Sequence, residues 1–103
     1  MESDIVFVYN GIYYEYNITI DKTVILVGED RENTRLSGIN TSTILIIESN
    51  LTKISGFTII NGRTGIHISP GYNDINIFDN KITNNYFGIG GSVILGRKIL
   101  KLY

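Results

Sequence analysis

The residues best suited to chemistry are few, and their spacing decides what they could do. Three carboxylates crowd one short run, "GEDREN" (28–33), as Glu29, Asp30 and Glu32, alternating with Arg31 and with Arg35 just beyond. Two-carboxylate hydrolysis needs side chains held at a defined separation across a scissile bond. A mixed-charge run between apolar clusters instead reads as an exposed loop of solvated ion pairs. Asp74 and Asp79 flank the cluster "INIF" (75–78) and have no carboxylate at the matching positions one repeat earlier. Copper sites favour His, Met and Cys, and the chain offers one His, one Met (the initiator) and no Cys. His67 sits between Ile66 and Ile68 and is expected to point outward on a strand, where a lone imidazole is ordinarily surface. "GIGGS" (88–92) is not followed by the G-K-[ST] of a phosphate loop. No catalytic residue, no metal-ligand set and no cofactor is expected, and the reading leans against an enzyme.

Tyrosine is the remaining candidate. Tyr9, Tyr13, Tyr14 and Tyr16 crowd the first stretch, and Tyr72 and Tyr86 lie in later turns. Aromatic faces can stack on sugar rings, which makes Tyr13, Tyr14, Tyr16, Tyr72 and Tyr86 weak glycan-binding candidates. The competing expectation, and the favoured one, is that these rings plug an open end and pack turns, as amphipathic aromatics do.

Something must position these side chains, and the composition says what. Hydrophobic residues make up 43% of the 103 residues and charged residues 18%, which is the balance of a folded chain. The formal net charge of -1 gives no electrostatic reason to expect nucleic acid. Arg97, Lys98 and Lys101 form the only basic cluster, read as a solvated terminus. With no cysteine there can be no disulfide or thiolate site. The opening "MESDIVFVYNG" lacks the basic and apolar regions of an export signal, and no apolar run approaches the ~20 residues that span a bilayer. Asn-x-Ser/Thr triplets at Asn17, Asn40 and Asn50 arise readily by chance in a chain this rich in those residues.

Isoleucine, asparagine and glycine dominate the texture. Short β-branched clusters such as "IVFV" (5–8), "VILV" (24–27), "TILII" (43–47) and "GIHIS" (65–69) alternate with turn material such as "NGR", "SPGYN" and "DN". The chain also repeats itself. "IINGRTGIHIS" (59–69) returns as "ITNNYFGIGGS" (82–92), so that Ile54 and Ile77, Ile59 and Ile82, Asn61 and Asn84, Gly65 and Gly88, Ile66 and Ile89, and Ser69 and Ser92 are each 23 apart. Leu36 and Ile59 keep the same interval, whereas Ile44 to Ile66 and Ile46 to Ile68 fit 22. A period of 22–23 with three short strands is one coil of a parallel solenoid, whose coils stack at the ~4.8 Å strand spacing. The expectation is an all-β, single-domain parallel β-helix of about four coils over 1–103, with 89–103 an atypical tail or cap. Its hand is expected to be right, from the preference of parallel crossovers. Asn61 over Asn84 should make an asparagine side-chain ladder, and Gly65 over Gly88 a tight turn with φ > 0.

The stretches "VFVYNGIYYEYNITIDKTVILVGEDRENTRLSG" (6–38), "ISGFTIINGRTGIHI" (54–68) and "INIFDNKITNNYFGI" (75–89) resemble the right-handed parallel β-helix proteins of pectin lyase type. Within that fold the sequence is most similar to the NosD-like and carbohydrate-associated surface-protein group. The resemblance implies an exported or cell-surface, non-catalytic solenoid segment that presents an outer sheet to glycan or to a protein partner. It also implies a piece of a longer solenoid, marginally stable alone and prone to end-to-end self-association. Two alternatives travel with it: a fragment of a polysaccharide lyase or hydrolase, or of a NosD-like copper-delivery accessory. The short N-T-D, D-D, G-H-G and R-I-K motifs of the hydrolase branch do not occur here.

Overall fold

The computed structural model describes residues 4–91. Within them the chain is all-β and winds into a parallel solenoid of four coils, each laying one strand on each of three sheets. The first coil holds β1 (Asp4–Val8), β2 (Gly11–Tyr13) and β3 (Ile18–Ile20). The second holds β4 (Val24–Gly28), β5 (Thr34–Ser37) and β6 (Thr43–Ile47). The third holds β7 (Lys53–Ser55), β8 (Thr58–Ile60) and β9 (Thr64–Ile68), and the fourth β10 (Asn76–Ile77), β11 (Lys81–Thr83) and β12 (Phe87–Gly91). The coil pattern thus continues through Gly91; the rest of the expected tail, with Ser92 and the Ile77-to-Leu100 interval, lies outside the described residues.

Every strand pairing is parallel, so equivalent residues stack in columns. Leu26, Ile54 and Ile77 form one column on the first sheet. Tyr13, Leu36, Ile59 and Ile82 form another on the second. The third sheet contributes Ile18, Leu45, Ile66 and Ile89, and beside them Ile20, Ile47 and Ile68. Ile54, Ile59, Ile66, Ile68 and Ile77 have no exposed surface, and the large ring of Phe57 fills the same core. At about 25 cal/mol per Å2 of apolar area removed from water, these columns are the main source of stability.

The corners between strands are made by residues in the left-handed region: Asn17, Leu51, Gly56, Asn61, Asp74, Asp79 and Asn84. Asparagine and glycine adopt it at least cost. The apolar run "ISGFTII" is accordingly broken into β7 and β8 by Gly56, at φ 85°. Its backbone lies so close to that of Gly28, one coil back, that neither position has room for a Cβ.

Three expectations are corrected. On the third sheet Ile66 and Ile89 keep the interval of 23, but between the second and third coils it is 21 and not 22: Leu45 lies over Ile66 and Ile47 over Ile68. The corner between β5 and β6 spans 38–42, two residues more than the corner 61–63 between β8 and β9. Two extra residues preserve the in–out alternation where one would invert it. Ile44, freed from the column, fills the corner against Gly38 and Gly62, where an added Cβ would come within 2.7 Å of its Cγ1. Next, Asn61 and Asn84 make no side-chain ladder. Both are left-handed corner residues joined through their backbones (Asn61 N to Asn84 O, 3.1 Å), and Asn61 Nδ2 donates to Ser37 Oγ at 3.2 Å. Finally, Gly65 and Gly88 do not have φ > 0. Gly65 is small because a Cβ there would meet Gly88 O at 2.8 Å and Ile82 Cγ2 at 3.0 Å.

The rung-to-rung asparagine bonding exists elsewhere. Asn80 is fully buried; its Oδ1 accepts from Phe57 N at 3.0 Å, and its Nδ2 donates to Ile54 O and Phe78 O, both at 2.9 Å. Asn85 repeats the arrangement at the next corner, with Oδ1 on Gly62 N at 2.8 Å and Nδ2 on Ile59 O and Thr83 O at 3.0 Å. The two Oδ1 atoms satisfy the corner amides Phe57 N and Gly62 N, while Ile54 O also accepts from Phe78 N at 3.1 Å.

Candidate functional site

The five tyrosines raised as glycan contacts divide by corner. Tyr13 points inward on the column with Leu36 and packs on the core, and its hydroxyl donates to Tyr9 O at 2.6 Å. That is the plugging role. Tyr14 and Tyr16 follow on the corner between the second and third sheets, exposed at the first coil. Tyr86 is on the same corner at the fourth coil, 74% exposed. Its ring lies 4.7 Å from that of Phe87, and the Arg63 guanidinium sits over both, 5.5 and 5.9 Å from their centroids. Three coil spacings, about 14 Å, separate the two groups along that corner.

Tyr72 is on the opposite corner, between the third and first sheets, where it lines a groove walled mostly by charged and polar residues. The groove has a volume of about 510 Å3 and is walled by Asp4, Asp21, Lys22 and Thr23 from the first coil, Glu48, Ser49 and Asn50 from the second, and Tyr72 from the third. The stacking of the coils builds it: "DKT" (21–23) and "ESN" (48–50) occupy the same corner one coil apart, and Tyr72 that corner in the next. Its wall is pinned. Asn50 Oδ1 accepts from Asn73 N at 2.7 Å, Asn50 O from Thr23 Oγ1 at 2.7 Å, and Ser49 Oγ bonds Thr52 Oγ1 at 2.6 Å. Tyr72 is half-buried against the core and also lines the groove. Sequence reasoning named Tyr72 but missed Lys22, Glu48, Ser49 and Asn50, which are legible only once the corner register is known.

The charged run 29–33 is the exposed loop expected of it, with a more specific structure. Asp30 closes a turn: Oδ2 accepts from Asn33 Nδ2 at 2.7 Å and Oδ1 from Glu32 N at 3.2 Å, and these bonds hold its carboxyl below the ordinary aspartate range. The loop arches over the third coil, where Thr58 Oγ1 donates to Arg31 O at 2.6 Å. Arg31 Nη1 then reaches Asp79 of the fourth coil at 3.1 Å, while its Nε lies 3.4 Å from Glu32, which also meets Lys81 at 3.6 Å. These charges neutralise one another across coils. Asp74 and Asp79 stand over Leu51 and Gly56, so no carboxylate column forms between them.

His67 faces outward on the third sheet beside a notch of about 370 Å3 shared with Thr64, Phe87 and Gly90. Among the described residues no group of three or more His, Asp or Glu side chains is placed to hold a metal ion. No helix among them is long and apolar enough to cross a membrane. Comparison with protein-family models, with curated proteins and with solved structures returned no match.

Proposed function

We propose that this chain is a non-catalytic solenoid segment of an exported or cell-surface protein whose outer corner binds glycan. The observation that carries the reading is Tyr72, half-buried and lining a pinned groove of about 510 Å3 walled mostly by charged and polar residues. A sugar presents one apolar face and a rim of hydroxyls. An aromatic face takes the first, while Glu48, Ser49, Asn50 and Lys22 exchange hydrogen bonds with the second. Asp4, Asp21 and Glu48 outnumber Lys22 around the groove, which favours neutral over uronic-acid sugars. The resemblance to carbohydrate-associated surface proteins of the β-helix type supports the same reading.

Amide chemical-shift titration with neutral and with uronic-acid oligosaccharides tests it. Neutral sugars should shift Ser49, Asn50 and Asn73, and Tyr72→Ala should raise the dissociation constant about tenfold or more, or ~1.4 kcal/mol. Equal binding by the variant, or a response confined to Tyr86, would overturn it.

A further inference from the structure

The third sheet carries a second surface that the groove around Tyr72 leaves unused. Its outer face runs alongside the stack of coils, so a coil added at either end would lie beyond that face and not over it. Two columns of residues cross it. One holds Thr19, Ile46, His67 and Gly90, the other Thr43, Thr64 and Phe87, and neither contains a carboxylate. Gly90 brings no side chain over His67, and a notch of about 370 Å3 opens there between the third and fourth coils, with Thr64 and Phe87 as its other walls. Among the described residues the side chains of Thr64 and His67 have no hydrogen-bond partner, and Arg63 has no carboxylate within ion-pair distance. The Arg63 guanidinium is held all the same, 5.5 Å from the centroid of Tyr86 and 5.9 Å from that of Phe87, the ring that also walls the notch. Arg31 and Lys81, by contrast, are neutralised by Asp79 and Glu32. A guanidinium stacked on two rings without a counter-charge is preorganised and keeps its donors for an anion.

We infer that this notch binds a sugar sulfate ester, with Arg63 on the sulfate and the sugar ring against Phe87. The inference shares the reading of the chain as glycan-binding but not the groove that carries that reading. Three features select the class. A cation on a face whose columns hold no acid attracts a negative group. Phe87 is 49% exposed and offers its ring to the apolar face of a pyranose. The guanidinium is planar and weakly hydrated, and it pairs better with a weakly hydrated sulfate ester than with a strongly hydrated carboxylate. The terminal oxygens of a sulfate also suffice for Arg63, Thr64 and His67 together, whereas a carboxylate has one fewer. Unsulfated units of the same glycan are left for the groove.

Amide chemical-shift titration of the full 103-residue chain with a sulfated galactan oligosaccharide, its desulfated counterpart and an oligogalacturonate separates the possibilities. The sulfated sugar should shift the amides of Arg63, Thr64, His67 and Gly90. The desulfated sugar should not, and the galacturonate should bind there about tenfold more weakly. Arg63→Ala, at an exposed side chain, should weaken the sulfated sugar about tenfold. Arg63→Lys keeps the charge without the planar fork and should recover only part of that loss. Lys53→Ala removes an exposed cation from the first sheet and should change nothing. The response of Ser49, Asn50 and Asn73 to neutral sugar should persist in Arg63→Ala, so failure at this notch is distinct from failure at the groove. Absence of shifts at 63–67 and 87–90, equal binding there of the desulfated sugar or the galacturonate, or equal losses from Lys53→Ala and Arg63→Ala would overturn the inference.

Discussion

The third coil and the first follow the same three-strand plan and live in different solvents. Ile54, Ile59, Ile66 and Ile68 of the third coil are wholly buried, whereas Val6 of the first, on the same inward column as Leu26 and Ile54, is 44% exposed. Both place β-branched residues on their strands, and neighbours set how far those residues are buried. In a solenoid each coil is covered by the one before and the one after, so burial belongs to the interface between coils. A coil with a partner on one side retains its pattern and loses half of its cover.

Truncating the largest core ring is the strongest way to sharpen that contrast. Phe57→Ala should cost about 3–5 kcal/mol in denaturant unfolding. Phe7→Ala, half-exposed on β1, should cost less than about 1 kcal/mol. Comparable losses would break the comparison. Asparagine supplies the second test, because the residue type stays constant while the environment changes. Asn80→Ala leaves Phe57 N without its buried partner, while Ile54 O keeps Phe78 N, and should cost about 2 kcal/mol. At Asn61, whose φ is 68°, glycine fits the backbone, and Asn61→Gly should stay within about 1 kcal/mol of wild type. The smallest effect is at Asp30. Its carboxyl titrates below the ordinary range because Asn33 and the Glu32 amide bond the ionised form. Its contribution is therefore complete above the unfolded-state value of about 4 and is lost as the pH falls through the lower folded value. Acid titration should loosen the 30–34 turn, with Asp30→Asn abolishing that pH response.

The interval of 23 was enough to read the coil, because strand columns repeat whatever the corners do. Leu36, Ile59 and Ile82 stack as their numbers say. What the interval could not give was corner length. The two extra residues between β5 and β6 moved the column from Ile44 to Leu45, and isoleucine at 44, 46 and 47 with leucine at 45 offers hydropathy no reason to choose. Asn61 and Asn84 looked like a ladder because they match across the repeat. The bonding asparagines, Asn80 and Asn85, instead stand over Phe57 and Gly62 and so show no match at all. The groove was hidden for the same reason: Lys22, Asn50 and Tyr72 share a corner without sharing a residue type. Columns are legible from identity; corners are legible only from geometry.

Amide hydrogen exchange, followed strand by strand in dilute solution, tests the central claim most directly. Exchange reports the free energy of local opening. If burial is conferred by neighbouring coils, the bonded amides of β7, β8 and β9 should exchange only near the global unfolding rate. Those of β1, β2 and β3 should exchange through cheaper local opening. First-coil amides as slow as those of the third coil in the isolated monomer would contradict the account.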